Sequence, residues 1–196
     1  MVKNKIEGFE NLEDLKKFED LLQEKNEVIY LVWKVSLNLA LRISDVLAIT
    51  EAMAIKFLKE GYYLAKDKKT NKANRVKLNT NTTLALERAL ELKLGHPNKE
   101  NKYLFVSSSN RSISSLNSIS SVQVFRVYKE IVDWLGLDIY IGTHSARKTW
   151  GLQFYTKTKD IALVMQRLNH SSQVTTMLYL GLTQKRIDKA IEDFNL

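Results

Sequence analysis

Six residues in this chain are of types that can act on a phosphate ester. They are Arg42 in Leu41-Arg42-Ile43-Ser44-Asp45, Lys69 in the basic run 66–77, His144 and Arg147 in Thr143-His144-Ser145-Ala146-Arg147-Lys148, His170 in Leu168-Asn169-His170-Ser171-Ser172, and Tyr179 in Met177-Leu178-Tyr179-Leu180. A guanidinium keeps its charge and forms planar bidentate bonds, so two arginines can hold both non-bridging oxygens of a phosphodiester. A histidine titrates near neutrality and can move protons. A phenol, with a pKa of ~10, is a nucleophile only when something helps it ionise. Each residue also has a plain structural reading. Arg42 could neutralise a helix end, Tyr179 could be an interfacial core aromatic between two leucines, and Lys69 could be one solvated lysine among several.

These residues need elements to carry them. Asn11 caps an amphipathic helix over 11–24, with Leu12, Leu15, Phe18, Leu21 and Leu22 on its apolar side. Residues 28–41 are apolar nearly all round and predict a central buried helix ending just before Arg42. Ser44-Asp45 then reads as the cap of a short helix through Ile49. Tyr62–Ala65, Arg75–Leu78 and Tyr103–Val106 are strand candidates, the first two flanking the basic hairpin. A helix over 80–94 is stopped by Gly95 and Pro97. Residues 107–121 hold nine Ser in fifteen and read as a mobile loop. Helices over 122–135, from a Thr143 cap to about 156, over 160–168, 174–180 and 184–194 complete the chain. The expected fold is mainly α with a small three-stranded antiparallel sheet, in one domain over 1–196. On a helix, His144 and Arg147 share a face.

Composition narrows the chemistry. The 196 residues carry 30 Lys+Arg against 22 Asp+Glu, a net charge of +8, unevenly placed. Residues 1–30 hold five Lys and eight acids, whereas 66–77 hold six bases and one acid. Clustered bases suit a phosphate backbone. With no Cys and three His, disulfides, thiolate sites and most zinc sites are excluded. No Walker-type glycine loop or carboxylate cluster is present, so no cofactor and no metal is expected. No long apolar run predicts a membrane span, and a cytoplasmic protein is the default expectation.

The ordered set Arg42, Lys69, His144, Arg147, His170 and Tyr179 resembles the tyrosine recombinase (phage integrase-like) family. The intervals of 3, 23 and 9 from His144 through Tyr179 are the family's usual ones, and the likeness runs over about residues 12–194. It implies the tyrosine recombinase catalytic-domain fold and a DNA strand-exchange enzyme. In that reading Tyr179 attacks a DNA phosphate, forming a 3′-phosphotyrosyl bond without metal or ATP. Arg42, Arg147 and His170 bind the phosphate, His144 takes the tyrosine proton, and Lys69 protonates the leaving 5′-hydroxyl. Lys66, Lys68, Lys72, Arg75 and Lys148 would contact double-stranded DNA. The resemblance further implies a homotetramer on DNA, a Holliday junction, an accessory DNA-bending protein in some systems, a nucleoid-associated location in a bacterium, archaeon or phage host, and a terminal helix over 184–196 that docks on a neighbouring subunit. A type IB topoisomerase-like enzyme and a non-catalytic sequence-specific DNA-binding protein are the alternatives.

Three departures from the family pattern stand out. Ala40 occupies a position often held by Gly, suggesting a slightly different helix end. Asn169 replaces the Gly before the second His, a milder change because Asn tolerates left-handed backbone. The catalytic pattern also begins almost at once, where most members carry an N-terminal core-binding domain. A compact single-domain recombinase and a catalytic fragment of a longer integrase both fit that start. The lysine choice is open as well, since Lys68, Lys69 and Lys72 all lie in the same hairpin.

Overall fold

The computed structural model describes residues 5–66, 73–107, 114–182, 191, 192 and 194. An extended strap, residues 5–10, leads into α1 (Leu12–Lys25), α2 (Glu27–Leu39), α3 (Ile43–Val46) and α4 (Glu51–Glu60). A hairpin of β1 (Tyr62–Lys66) and β2 (Ala73–Lys77) follows, then α5 (Thr80–Gly95), α6 (Ser121–Leu135), α7 (Ser145–Thr158), α8 (Ile161–Leu168) and α9 (Gln173–Leu180). Polar caps set many of the starts. Asn11, Asn26, Thr50, Asn79, Ser120, Asp160 and Ser172 each accept a first-turn backbone N–H.

Helix α2 is apolar nearly all round because it lies at the centre, packed against α1, α5 and α7. The rings of Phe9, Phe18, Trp33 and Tyr128 meet there with centroids 4.8 to 5.8 Å apart, joining the strap, α1, α2 and α6. A second, smaller core holds Ala40, Leu152, Val164, Leu168 and Leu180, and so ties the end of α2 to α7, α8 and α9. Two glycines allow close approaches around it. A Cβ on Gly151 of α7 would lie 2.5 Å from Leu180 of α9. One on Gly8 of the strap would lie 2.5 Å from the Thr149 backbone nitrogen and 2.9 Å from the Lys148 Cβ.

Several expectations need correction. Among the described residues the sheet has two strands: Tyr103 forms an isolated bridge to Thr50 instead of joining the hairpin, because residues 102–104 pair with 49–51. Helix α3 starts at an Arg42 N-cap with no side-chain cap bond, so Ser44 and Asp45 lie inside it. Helix α7 starts at His144, and Thr143 is not its cap. Helix α4 fills 51–60, a stretch left unassigned among the expected elements. The described part of the Ser-rich segment is tethered: buried Asn101 donates to the carbonyls of Ser115 and Asn117 at 2.8 and 2.9 Å. Most of the expected 184–194 helix lies outside the described residues.

Candidate active site

The site forms where two helices end. Helix α2 stops in a Schellman turn: the Leu41 N–H donates to Ser36 O, the Ser36 hydroxyl donates back to Leu41 O, and Ala40 takes φ 48°, ψ 37°. This is the left-handed conformation glycine adopts most easily, and Ala40 adopts it without a glycine's freedom. Helix α8 stops the same way. Asn169 sits at φ 56°, ψ 39°, and the His170 N–H donates to Met165 O. One turn delivers Arg42, the other His170.

Arg147, only 3% exposed, joins the two ends. Its guanidinium donates through Nη1 to Ala40 O and through Nη2 to Leu168 O, the latter at 2.6 Å. Unsatisfied carbonyls at helix C-termini carry partial negative charge and attract cations. Arg167 does likewise, donating to Leu39 O and, at 3.0 Å, to Asn74 Oδ1 in β2. It thereby pins the hairpin to α2 and α8.

Tyr179 lies in the last turn of α9, between the Ser172 cap and the Gly181 stop at φ 73°. Its hydroxyl is buried and no hydrogen bond of ordinary geometry reaches it. Burial pushes its pKa up to about 12, while the charge and hydrogen-bonding influence of Arg147, and the charge of Arg42, pull the other way. The His170 ring meets the Tyr179 ring edge-on, centroids 5.1 Å apart. Burial first, then Arg147 and Arg42, depress the His170 pKa to about 4. Thus Arg42, Arg147, His170 and Tyr179, up to 137 positions apart in sequence, lie close enough for the two guanidinium charges to act on both the His170 and the Tyr179 rings.

His144 is the half-buried N-cap of α7, one turn before Arg147. Lys69, Lys68 and Lys72 fall outside the described residues. Lys66 and Arg75 are exposed on the outward face of the hairpin, where the register aligns Tyr62 with Lys77, Leu64 with Arg75 and Lys66 with Ala73. The opposite face carries buried Tyr63 and packs on Phe57. Arg75 stacks diagonally on Tyr62, 3.6 Å from its centroid. Lys148 is not at the surface: it is 6% exposed, its ammonium 4.9 Å from the centre of the Tyr179 ring. Three contributors carry no signal in the sequence: Thr176, whose hydroxyl meets His170 Nδ1 at 3.1 Å; Asn74; and Lys5, whose ammonium donates to Leu178 O.

Comparison with known proteins identifies the family and the fold. Residues 10–186 match the phage integrase family. A probable integrase/recombinase, YoeC of Bacillus subtilis (strain 168), is 33% identical over 192 residues, covering 96% of this chain and 97% of YoeC. Tyrosine recombinase XerA of Pyrococcus furiosus is 30% identical over 97 residues, covering 50% of this chain and 32% of XerA. Among solved structures, XerA recombinase superposes with a TM-score of 0.72 at 19% identity, over 98% of this chain and 65% of that one. XerH bound to a palindromic difH substrate gives 0.69 at 21% identity, over 95% of this chain and 53% of that one. At such identities the likeness is one of fold. It is the fold of tyrosine recombinase catalytic domains, and this chain spans about half to two thirds of those solved chains. The chain belongs to the phage integrase family, the tyrosine recombinases.

Proposed function

We propose that this protein cuts and rejoins DNA at specific sites through a covalent bond between Tyr179 and a DNA 3′-phosphate. The observation that carries the reading is the gathering of Arg42, Arg147 and His170 around the buried Tyr179 phenol. Arg42 and Arg147 hold the non-bridging oxygens, whose charge grows in the pentacovalent transition state, where fixed donors gain most. His170, whose Nδ1 faces Thr176, takes up a proton on Nε2 as the anionic phosphate binds and donates it in a hydrogen bond to that phosphate. His144 accepts the Tyr179 proton and returns it in the reverse step. The oxygen of Tyr179 forms a bond to phosphorus as the bond to the 5′-oxygen breaks. Lys69 donates the proton that completes the leaving hydroxyl. A 5′-hydroxyl from a partner duplex then attacks the phosphotyrosyl bond and releases Tyr179. Each step exchanges one phosphodiester for another, so the reaction needs neither ATP nor a metal to drive it.

The outward hairpin face, with Lys66, Arg75 and Lys77, and the hairpin lysines beyond it supply cations for the duplex. Strand exchange between two duplexes calls for four copies of Tyr179, hence a tetramer on DNA. The test is a set of nicked suicide duplexes tiled across the DNA that flanks the gene. Wild-type protein is expected to form an adduct that survives denaturant, and Tyr179→Phe none. An adduct retained by Tyr179→Phe would refute the nucleophile. Binding by wild type with no adduct on any duplex would point to a non-catalytic DNA-binding protein.

A further inference from the structure

Lys148 follows Arg147 on α7. Its ammonium lies 4.9 Å from the centroid of the Tyr179 ring. The strap closes over it, with the Gly8 backbone against the Lys148 Cβ. The same strap reaches α9 through the bond from Lys5 to Leu178 O, one residue before Tyr179. It is fastened to α7 by the Phe9 N–H on Thr149 Oγ1 at 2.9 Å. Lys148 is therefore held between strap and nucleophile, at 6% exposure, where a contact with a DNA backbone is poorly served.

We infer that Lys148 is a positioning residue for Tyr179: its ammonium, held against the ring, fixes the ring's attitude and favours the phenolate over the phenol. The inference rests on Tyr179 being the nucleophile. A cation over an aromatic face is attracted by the ring's negative face, and the attraction is strongest when the pair is desolvated. Ionising the phenol puts more electron density in the ring, so the attraction rises as the nucleophile forms and falls once the phosphotyrosyl bond has formed. Catalysis gains from an interaction of that kind.

The surroundings also set the pH range. Lys148 faces Lys5 and Glu7 of the strap and Tyr179 of α9, and the cleft it borders carries Glu10, Asp14 and Asp138. Burial first, then Lys5, depress its pKa to about 8, with Glu7 the smaller opposing influence. The cation is present below that pH and is lost above it.

The experiment measures adduct formation on pre-bound suicide duplex from the flanking DNA, against pH. Lys148→Met is expected to bind that duplex within about twofold of wild type and to cleave about tenfold more slowly at pH 7. Lys148→Arg, charged at every pH used, is expected to cleave like wild type at pH 7 and to lose the downturn that wild type shows above pH 8. A Lys148→Met protein that cleaves bound DNA at the wild-type rate overturns the inference, as does one that loses only affinity. A Lys148→Arg protein that folds but is as slow as Lys148→Met also overturns it. Thermal midpoints establish folding. A DNA-free readout tests the contact itself: ring current should move the Lys148 ε-methylene protons upfield, and Tyr179→Leu should restore them. Normal shifts in the wild type would overturn the contact. Failure of the nucleophile assignment is read separately, from an adduct that persists in Tyr179→Phe.

Discussion

The Arg147 guanidinium donates to the carbonyl of Ala40, a non-glycine residue held at φ 48° with its methyl group fully buried. The conformation costs an alanine roughly 1 kcal/mol relative to glycine. Burying the methyl in the small core returns about 0.8 kcal/mol. Ala40→Gly should therefore change stability by less than about 0.5 kcal/mol. Ala40→Val adds a branched side chain at positive φ in a filled space and should cost about 3 kcal/mol or more. Urea unfolding of the two variants checks both numbers. A Val variant as stable as wild type would show that the turn is not held as described.

His170 gives a pH dependence with a definite sign. The Thr176 hydroxyl donates to Ser172 O at 3.0 Å, so its oxygen receives the His170 Nδ1–H. The folded-state pKa is depressed from 6.5 to about 4 by burial, Arg147 and Arg42. Between those values the unfolded chain takes up a proton that the folded protein refuses. The associated stability is complete above pH 6.5 and is lost as the pH falls toward 4. His170→Gln should flatten that part of the stability profile, measured by urea unfolding at pH 4.5 and 7. An unchanged profile would show that this ring does not titrate as stated. A bound phosphate, being anionic, should raise the His170 pKa, and the ring proton shifts would report it.

Arg167 is the brace of the hairpin. Removing it in Arg167→Ala leaves the Leu39 carbonyl and Asn74 without their donor and should cost about 1–3 kcal/mol. The effect should be local. Amide exchange in β2 should quicken strongly, while amides of α1 and α6, remote from the brace, should be nearly unaffected. Cleavage should slow too, because the hairpin carries the lysines proposed to meet the DNA and the leaving group. Unchanged β2 protection would remove Arg167 from this role.

Much of the framework is legible in the amino-acid sequence. The Asn11 cap, the all-apolar stretch behind α2 and the Gly136 stop each report a local preference, and each element forms within a few residues of its expected place. Arg42, Arg147, His170 and Tyr179 stand out in the sequence by type and interval, and the structure brings these four together. Helix α4 is legible on the same grounds, since Met53, Ala54, Phe57 and Leu58 fall at helical spacing behind the Thr50 cap. Tyr103–Val106 has the residue types of a third strand, yet its partner is the 49–51 segment, a choice that depends on a contact about 50 positions away.

The sequence by itself determined which groups are available: two arginines, two histidines, a tyrosine and a basic hairpin, with the caps and stops that end the helices beside them. Those follow from preferences acting over a few residues. Only the tertiary structure decided what those groups do in the folded protein. Arg147 reaches helix ends 107 and 21 positions away. Tyr179 is buried where α9 packs on α7 and α8, and that burial raises the pKa of its phenol. Lys148, one of thirty basic residues in the composition, is drawn under the strap to the nucleophile's ring. Burial and charge at a point depend on everything packed around it, and those neighbours are distant in the chain.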